Sequence, residues 1–308
     1  MLWPSRLLAH RWIVVALLGL FGLQFTAAPV VAQDGNSAQN GNSLSPKQKK
    51  KLKKKLQQTY KEGAKAGNAK NFTVAIARFQ KSIKLAKKLG LADLASKIKR
   101  KNLVESLKGA GSAALKKKNY KKALSHYEKL RQYTNQDPAV HYNRGLALIN
   151  MDSTKAGLKS LKKAIDIGNK TGNTRVAGLA TKRIRDEFLA KASKALQGDS
   201  PSQEKINTAL DALDQMREYV DPNAKSLFYR ATALFEDGQY QKAIQTARKG
   251  LDMHQGSRSD AAKFYYVIAE SQWETGSKAS ACETFKNAAY GNYQARANHY
   301  LNNKCDDL

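Results

Sequence analysis

Residues 235–251, with the sequence FEDGQYQKAIQTARKGL, decide the fold of this chain. Apolar side chains recur there at three- and four-residue spacing, at Tyr240, Ala243, Ile244 and Ala247, which is the spacing of one face of a helix. A small residue, Ala231, precedes Ala243 by twelve positions. We expect this small residue to let a first helix approach closely, while the apolar face of the second helix packs against the next unit.

The same pattern recurs along the chain. Four segments carry an Ala-Ile or Ala-Leu dipeptide and two carry weaker copies, at Ala75-Ile76, Ala123-Leu124, Gly157-Leu158, Ala209-Leu210, Ala243-Ile244 and Ala281-Cys282. The spacings between them are 48, 34, 52, 34 and 38 residues. A small residue stands twelve positions before the dipeptide in five of the six units, at Gly63, Gly111, Gly145, Ala231 and Ala269. The chain therefore consists of repeated helical units.

A 34-residue helix–turn–helix unit with this pattern resembles the tetratricopeptide repeat. The resemblance implies an all-α fold, an α-solenoid of about six helix–turn–helix repeats over residues 47–308 with a C-terminal capping helix at 292–303. The repeat at 174–221 diverges, because its first helix is longer and lacks the small residue. The 48- and 52-residue spacings predict lengthened helices or loops. An ordinary helical bundle is the alternative fold.

Composition excludes several classes of protein. The chain has 308 residues, of which 42% are hydrophobic, so it is able to form a packed core. Six prolines and two cysteines exclude a collagen-like chain, a disulfide-dense mini-protein and a multi-cysteine zinc protein.

The sequence lacks the usual catalytic and nucleotide-binding motifs, including the phosphate-binding loop, the dinucleotide fingerprint, the nucleophile elbow and the zinc-protease helix. The histidines that follow residue 32 are too far apart for a metal pair on one helix; they are His126, His141, His254 and His299. We therefore predict no enzymatic activity, no cofactor and no metal site.

Residues 1–32 resemble an export signal. Arg6 and Arg11 precede an apolar run from Trp12 to Phe25, and small residues at 30–32 fit a signal peptidase site before Gln33. An uncleaved anchor is the alternative, since residues 12–32 are mostly apolar. Residues 33–46, rich in Gly, Asn and Ser, are interpreted as a flexible linker. We expect an exported protein that is periplasmic or peripheral to the cell envelope, without a transmembrane segment once the signal is cleaved.

The expected export also predicts the state of the two cysteines, Cys282 and Cys305. In an oxidising compartment we expect them to form a disulfide that attaches the capping helix to the last repeat. Two free buried thiols are the alternative.

Positive charge is concentrated near the N-terminus. The formal charge is +29, and residues 47–130 hold 26 basic and four acidic residues, a net +22. Lys49, Lys50, Lys53 and Lys54 are the candidate basic docking residues for an acidic lipid, polysaccharide or protein. The alternative is a solvated first helix. Because arginines and aromatics are few here, the pattern argues against specific nucleic-acid binding.

In the resembling family the first helices of successive repeats line a concave groove that binds a protein or peptide. Candidate groove residues are Lys108, Tyr142, Asn143, Phe228, Tyr229, Tyr266 and Trp273. Core packing is the alternative role for the aromatic ones.

The sequence thus predicts a non-enzymatic scaffold or adaptor of the bacterial cell envelope that binds a protein or peptide partner. One alternative is a docking protein that binds anionic surfaces through its basic N-terminal third. Another is an accessory domain of an envelope enzyme system.

Overall fold

The computed structural model describes residues 44–198 and 200–305. The expected signal segment 1–32 and linker residues 33–43 lie outside this range. All regular elements within it are helices, and no strand occurs among these residues. The helices are α1 (Pro46–Asn68), α2 (Phe72–Lys88), α3 (Ala92–Lys97), α4 (Val104–Lys116), α5 (Tyr120–Arg131), α6 (Pro138–Ile149), α7 (Thr154–Lys170), α8 (Thr174–Ala195), α9 (Gln203–Arg217), α10 (Ala224–Glu236), α11 (Tyr240–Asp252), α12 (Arg258–Glu274), α13 (Lys278–Ala288) and α14 (Gln294–Lys304).

These helices form the stacked pairs of a tetratricopeptide-like solenoid, and the predicted fold class is confirmed. In unit 1, whose bounds follow below, α1 and α3–α4 are the first helices of pairs whose second helices are α2 and α5. In unit 2, the first helices are α8, α10 and α12 and the second helices are α9, α11 and α13. A π-helical segment, Ile98–Leu103, joins α3 to α4, so that the two continue as one long helix. A short 3-10 turn, Gly291–Tyr293, leads into α14.

The chain divides into two compact units, of which unit 1 ends at Gly157 and unit 2 begins at Leu158. In unit 1 the core shows why the repeat needs a small residue. A Cβ placed on Gly63 would lie 3.0 Å from the ring of Phe79, and one on Gly111 would lie 2.8 Å from that of Tyr127. Both rings are almost fully buried. In these two pairs the helices therefore approach so closely that the contact position has room only for glycine.

The two long spacings between successive repeat dipeptides, of 48 and 52 residues, have different structural causes. The 48-residue spacing reflects the continuous helix α3–α4, which contains the π segment; such a segment accommodates an extra residue within a helix. The 52-residue spacing reflects α8, with 22 residues, and the loop that follows it.

Helix starts explain two of the prolines. Pro46 and Pro138 are the first residues of α1 and α6, where the missing N–H has no partner to lose. The Ser45 side chain caps α1 by accepting a hydrogen bond from the backbone N–H of Gln48. In return, the side-chain oxygen of Gln48 accepts a hydrogen bond from the backbone N–H of Ser45.

The C-terminal end of unit 2 is closed by α14. Tyr300 stacks on Phe285 of α13 with ring centroids 4.2 Å apart, and Ala297 is fully buried. Cys282 and Cys305 form a disulfide with their Cα atoms 5.8 Å apart. The predicted pairing is thus present in the structure, and it attaches the end of α14 to α13.

Candidate partner-binding surfaces

The first helices of the last repeats bring a polar, aromatic surface together in unit 2. Tyr229 and Glu236 of α10 lie two turns apart, as do Tyr266 and Trp273 of α12. The helical repeat places these pairs on one face of each helix. We call the surface formed with α14 the unit-2 groove; it comprises Tyr229, Glu236, Tyr266, Glu270, Trp273, Tyr293, Arg296 and Tyr300.

A hydrogen-bonded pair lies at the centre of this groove. The Tyr266 hydroxyl donates to Glu270 Oε1 at 2.6 Å. Burial raises the pKa of Glu270, whereas the Tyr266 hydrogen bond and the charge of Arg296 oppose the shift. Burial and the carboxylate of Glu270 also raise the pKa of Tyr266. The phenol therefore keeps its proton and remains a donor to the carboxylate.

Arg296 of α14 supplies the positive charge next to Tyr266 and the two glutamates of the groove. Its guanidinium lies 5.0 Å from the ring centroid of Tyr266, a cation–π contact. Its charge also opposes the burial that raises the pKa of Glu236. Two partly buried carboxylates and one guanidinium thus stand among tyrosines, which is an arrangement suited to polar peptide groups.

The predicted groove residues of unit 2 have different environments. Tyr229 is half-buried and belongs to the groove surface. Tyr266 is only 4% exposed and belongs to the core, so its role is to position Glu270 through its hydroxyl. Phe228 packs on the core and meets Phe264 edge-on, with ring centroids 5.9 Å apart.

Trp273 contacts the capping helix. Its ring lies edge-on to Tyr300 at 5.5 Å, and the ammonium groups of Lys278 and Lys304 lie 5.4 and 5.8 Å from its centroid. The indole is half-buried, and α14 and these two lysines surround it.

A cleft of about 600 Å³ lies between α8 and the start of α10. Its wall includes Thr181, Arg185 and Lys225. Arg185 donates two hydrogen bonds to the backbone carbonyl of Asp221, at 3.2 and 2.9 Å, and so ties α8 to the loop before α10.

In unit 1 the predicted groove residues are Lys108 on α4 and Tyr142 and Asn143 on α6. Lys108 Nζ lies 2.8 Å from Asp137 Oδ2 and 3.3 Å from Glu105. Burial alone would lower the pKa of Lys108. The hydrogen bonds and negative charges of Asp137 and Glu105 outweigh the effect of burial, so the pKa of Lys108 is raised. The other oxygen of Asp137 accepts from the backbone of Ala139 at the start of α6. Lys108 is therefore engaged in holding α4 against α6. Tyr142 and Asn143 of α6 are half-buried.

The candidate docking lysines, Lys49, Lys50, Lys53 and Lys54, all lie on α1 and are exposed. Leu56 of the same helix is buried, and of these four lysines Lys50 and Lys54 lie on the side opposite to it. Sequence reasoning missed Glu236, Glu270 and Arg296, which the fold brings together from three helices. The spacing of Tyr266 and Glu270, one helical turn apart, was the available signal.

Within the described residues no helix has both the length and the apolar character needed to span a membrane. The same residues contain no cluster of three or more His, Cys, Asp or Glu side chains placed to hold a metal ion.

One comparison, with a protein-family model, agrees with the fold. Residues 202–258 match the family model described as tetratricopeptide repeat. No curated protein matched the sequence. A solved structure titled "MamA RS-1 ArsTM double mutant" is 16% identical, with 60% of this chain and 92% of that chain covered and a TM-score of 0.34. The "TPR2AB-domain:pHSP90-complex of yeast Sti1" is 18% identical, with 83% and 95% covered and a TM-score of 0.33.

Proposed function

From its tetratricopeptide-repeat fold we infer that this chain is a non-enzymatic scaffold or adaptor of the bacterial cell envelope, and we propose that it binds a protein or peptide partner in the unit-2 groove. Tetratricopeptide repeats are commonly protein-interaction scaffolds. The observation that supports the groove is the cluster of Tyr229, Glu236, Glu270 and Arg296, which presents donors, acceptors and aromatic surface on α10, α12 and α14.

The envelope address rests on two separate features. Residues 1–32 have the sequence pattern of an export signal. The disulfide between Cys282 and Cys305 is of the kind that persists in an oxidising compartment. Both features fit a periplasmic protein or one peripheral to the envelope.

The test is an affinity purification from native envelopes with three forms of the chain: wild type, Tyr229→Ala and Tyr290→Ala. Tyr290 is a matched control because it is an exposed tyrosine of the same unit outside the groove. A partner bound in the groove should be recovered with wild type and with Tyr290→Ala.

Binding of the purified partner should then weaken on Tyr229→Ala by about 2 kcal/mol, the usual loss for a central aromatic anchor. Titration calorimetry measures the difference. Equal affinity of all three forms would place the partner elsewhere and contradict the proposal.

A further inference from the structure

Helix α1 carries a row of lysines, interrupted at Gln58, on the face that points away from its neighbour α2. Leu56, Thr59 and Gly63 are buried on the inner face, at helical spacing. At about 100° per residue, the opposite sector, which is about 100° wide, contains six lysines. They are Lys47, Lys50, Lys51, Lys54, Lys61 and Lys65, and all six are exposed. We call this row the lysine stripe.

The stripe includes two of the four docking lysines expected from the sequence. Lys50 and Lys54 belong to it, whereas Lys49 and Lys53 lie toward the inner side of α1 by the same angular count. The stripe is also longer than the basic run at 47–55, because Lys61 and Lys65 extend it along the helix. From Lys47 to Lys65 it spans about 27 Å at about 1.5 Å per residue.

No acidic side chain of residues 44–198 and 200–305 neutralises the stripe. Glu62 is the one acidic residue of α1, and its carboxylate is held by Arg78 of α2 at 3.0 Å and by Gln58 at 3.1 Å. Among the described residues, none of the six stripe lysines lies within 4 Å of a carboxylate. The ammonium groups therefore face solvent without an internal partner.

The chemistry of the stripe selects its partner. Lysine ammoniums act as point charges without the bidentate geometry of arginine, so they suit anionic groups that rearrange beneath them. No large apolar side chain is exposed on α1, so the helix cannot insert as an amphipathic interfacial helix does. Nor does the stripe contain an aromatic for stacking on bases. A straight row of charges about 27 Å long fits a planar surface.

We propose that the lysine stripe of α1 binds the surface of a bilayer that contains acidic phospholipids, through charge alone. This binding surface belongs to unit 1 and does not depend on the unit-2 groove. Each lysine near an acidic bilayer strengthens binding about five-fold. Because no apolar group takes part, binding depends on the lipid charge and weakens as salt shortens the Debye length to about 8 Å at physiological strength.

The experiment is co-sedimentation of the full chain with two kinds of vesicle, phosphatidylcholine alone and phosphatidylcholine with about 30 mol% phosphatidylglycerol, whose negative surface potential attracts basic segments. The stripe variant is Lys50→Gln, Lys51→Gln, Lys54→Gln and Lys61→Gln. The matched control is Lys81→Gln, Lys84→Gln, Lys121→Gln and Lys122→Gln, which removes the same charge from exposed sites on α2 and α5. Circular dichroism checks that both variants remain helical.

We expect wild type to bind the acidic vesicles and not the neutral ones. The stripe variant should lose at least about a hundred-fold in binding, and the control should stay within about five-fold of wild type. Equal binding to both kinds of vesicle would assign attachment to the apolar N-terminal segment and overturn the proposal.

Two further outcomes would also overturn it. Equal losses in the stripe and control variants would show that only the net charge matters. Stronger, stripe-dependent binding to double-stranded DNA or heparin, at the same concentration of anionic groups and the same salt, would assign the stripe to a soluble polyanion.

Discussion

At the scale of single residues, glycine has two opposite effects in this chain. Gly111 faces the ring of Tyr127, and an added Cβ would lie 2.8 Å from it. Gly178, in the exposed face of α8, has no atom within 4 Å of the position where its Cβ would be. The first glycine is required by packing, whereas the second only weakens its helix.

Gly111→Ala should therefore lower the free energy of unfolding. The Tyr127 ring is 1% exposed and must shift to admit the new methyl group, so we expect an overpacking cost of about 1–3 kcal/mol that exceeds the gain in helix propensity of about 1 kcal/mol. Gly178→Ala should raise the free energy of unfolding by about 1 kcal/mol. Urea denaturation measures the change in the free energy of unfolding of both variants. An increase for Gly111→Ala would contradict the proposed close packing of Gly111 against Tyr127.

Glu270 should make stability depend on pH. Its pKa is raised in the folded chain, chiefly by burial. As pH rises above the ordinary glutamate range, the unfolded chain therefore ionises first, and stability falls until the raised pKa is passed. Glu270→Gln should reduce this decline and leave stability below the ordinary range nearly unchanged. Burial raises the pKa of Glu236 too, so a smaller decline should remain. Thermal unfolding at a series of pH values tests this, and an undiminished decline in the variant would exclude Glu270 as its source.

At the scale of helices, the sequence predicted most of the architecture and part of the site. The dipeptide period predicted six helix pairs and the close contacts at Gly63 and Gly111, because one small residue and one large residue at fixed separation are a local signal. It left open whether a lengthened spacing comes from a helix or a loop; the π segment Ile98–Leu103 depends on packing against α2. The Glu236–Glu270–Arg296 cluster was missed because its members lie on three helices.

We expect the capping helix α14 to depend strongly on the disulfide, because few of its side chains are fully buried. Ala297 is its one buried residue among those described, while Tyr300 and Leu301 are partly buried against the core. The chain between Cys282 and Cys305, 23 residues apart, closes a loop whose entropic contribution is about 3 kcal/mol.

Cys305→Ser should accordingly lower stability by about 2 kcal/mol. The change should also increase hydrogen exchange in α14 while leaving α10 and α11 protected, because helix ends without tertiary attachment open locally. Dithiothreitol should reproduce the effect in wild type and add nothing in the variant. Unchanged exchange in α14 would mean that its ring contacts suffice.

At the scale of the whole molecule, the first question is where the mature chain begins. The pattern of residues 1–32 predicts Gln33 as the mature N-terminus and release of the protein from cells by osmotic shock. N-terminal sequencing of protein recovered from the envelope fraction measures the first. An intact Met1 in a membrane pellet that resists high salt and carbonate would favour the retained anchor.

Charge is divided unequally over the molecule, and this separates the two proposed binding surfaces. Residues 47–130 carry +22, and the remaining residues 131–308 carry 26 basic and 20 acidic residues, a net +6. The lysine stripe lies in the first part and the unit-2 groove in the second. Dissolved salt should therefore weaken binding at the lysine stripe and have little effect on binding in the unit-2 groove.

Raising salt from low to physiological strength should reduce vesicle binding steeply and change the affinity of a groove-bound partner little. A stripe without apolar contacts has no other source of affinity, whereas the groove has tyrosine rings and partly buried polar groups that salt screens weakly. The stripe variant should bind the groove partner with nearly unchanged equilibrium affinity. The Tyr229→Ala variant should bind acidic vesicles as wild type does. Measuring both affinities over a salt series, for wild type and the two variants, gives four comparisons. A partner lost with the stripe lysines but kept by Tyr229→Ala would move protein binding from the groove to α1.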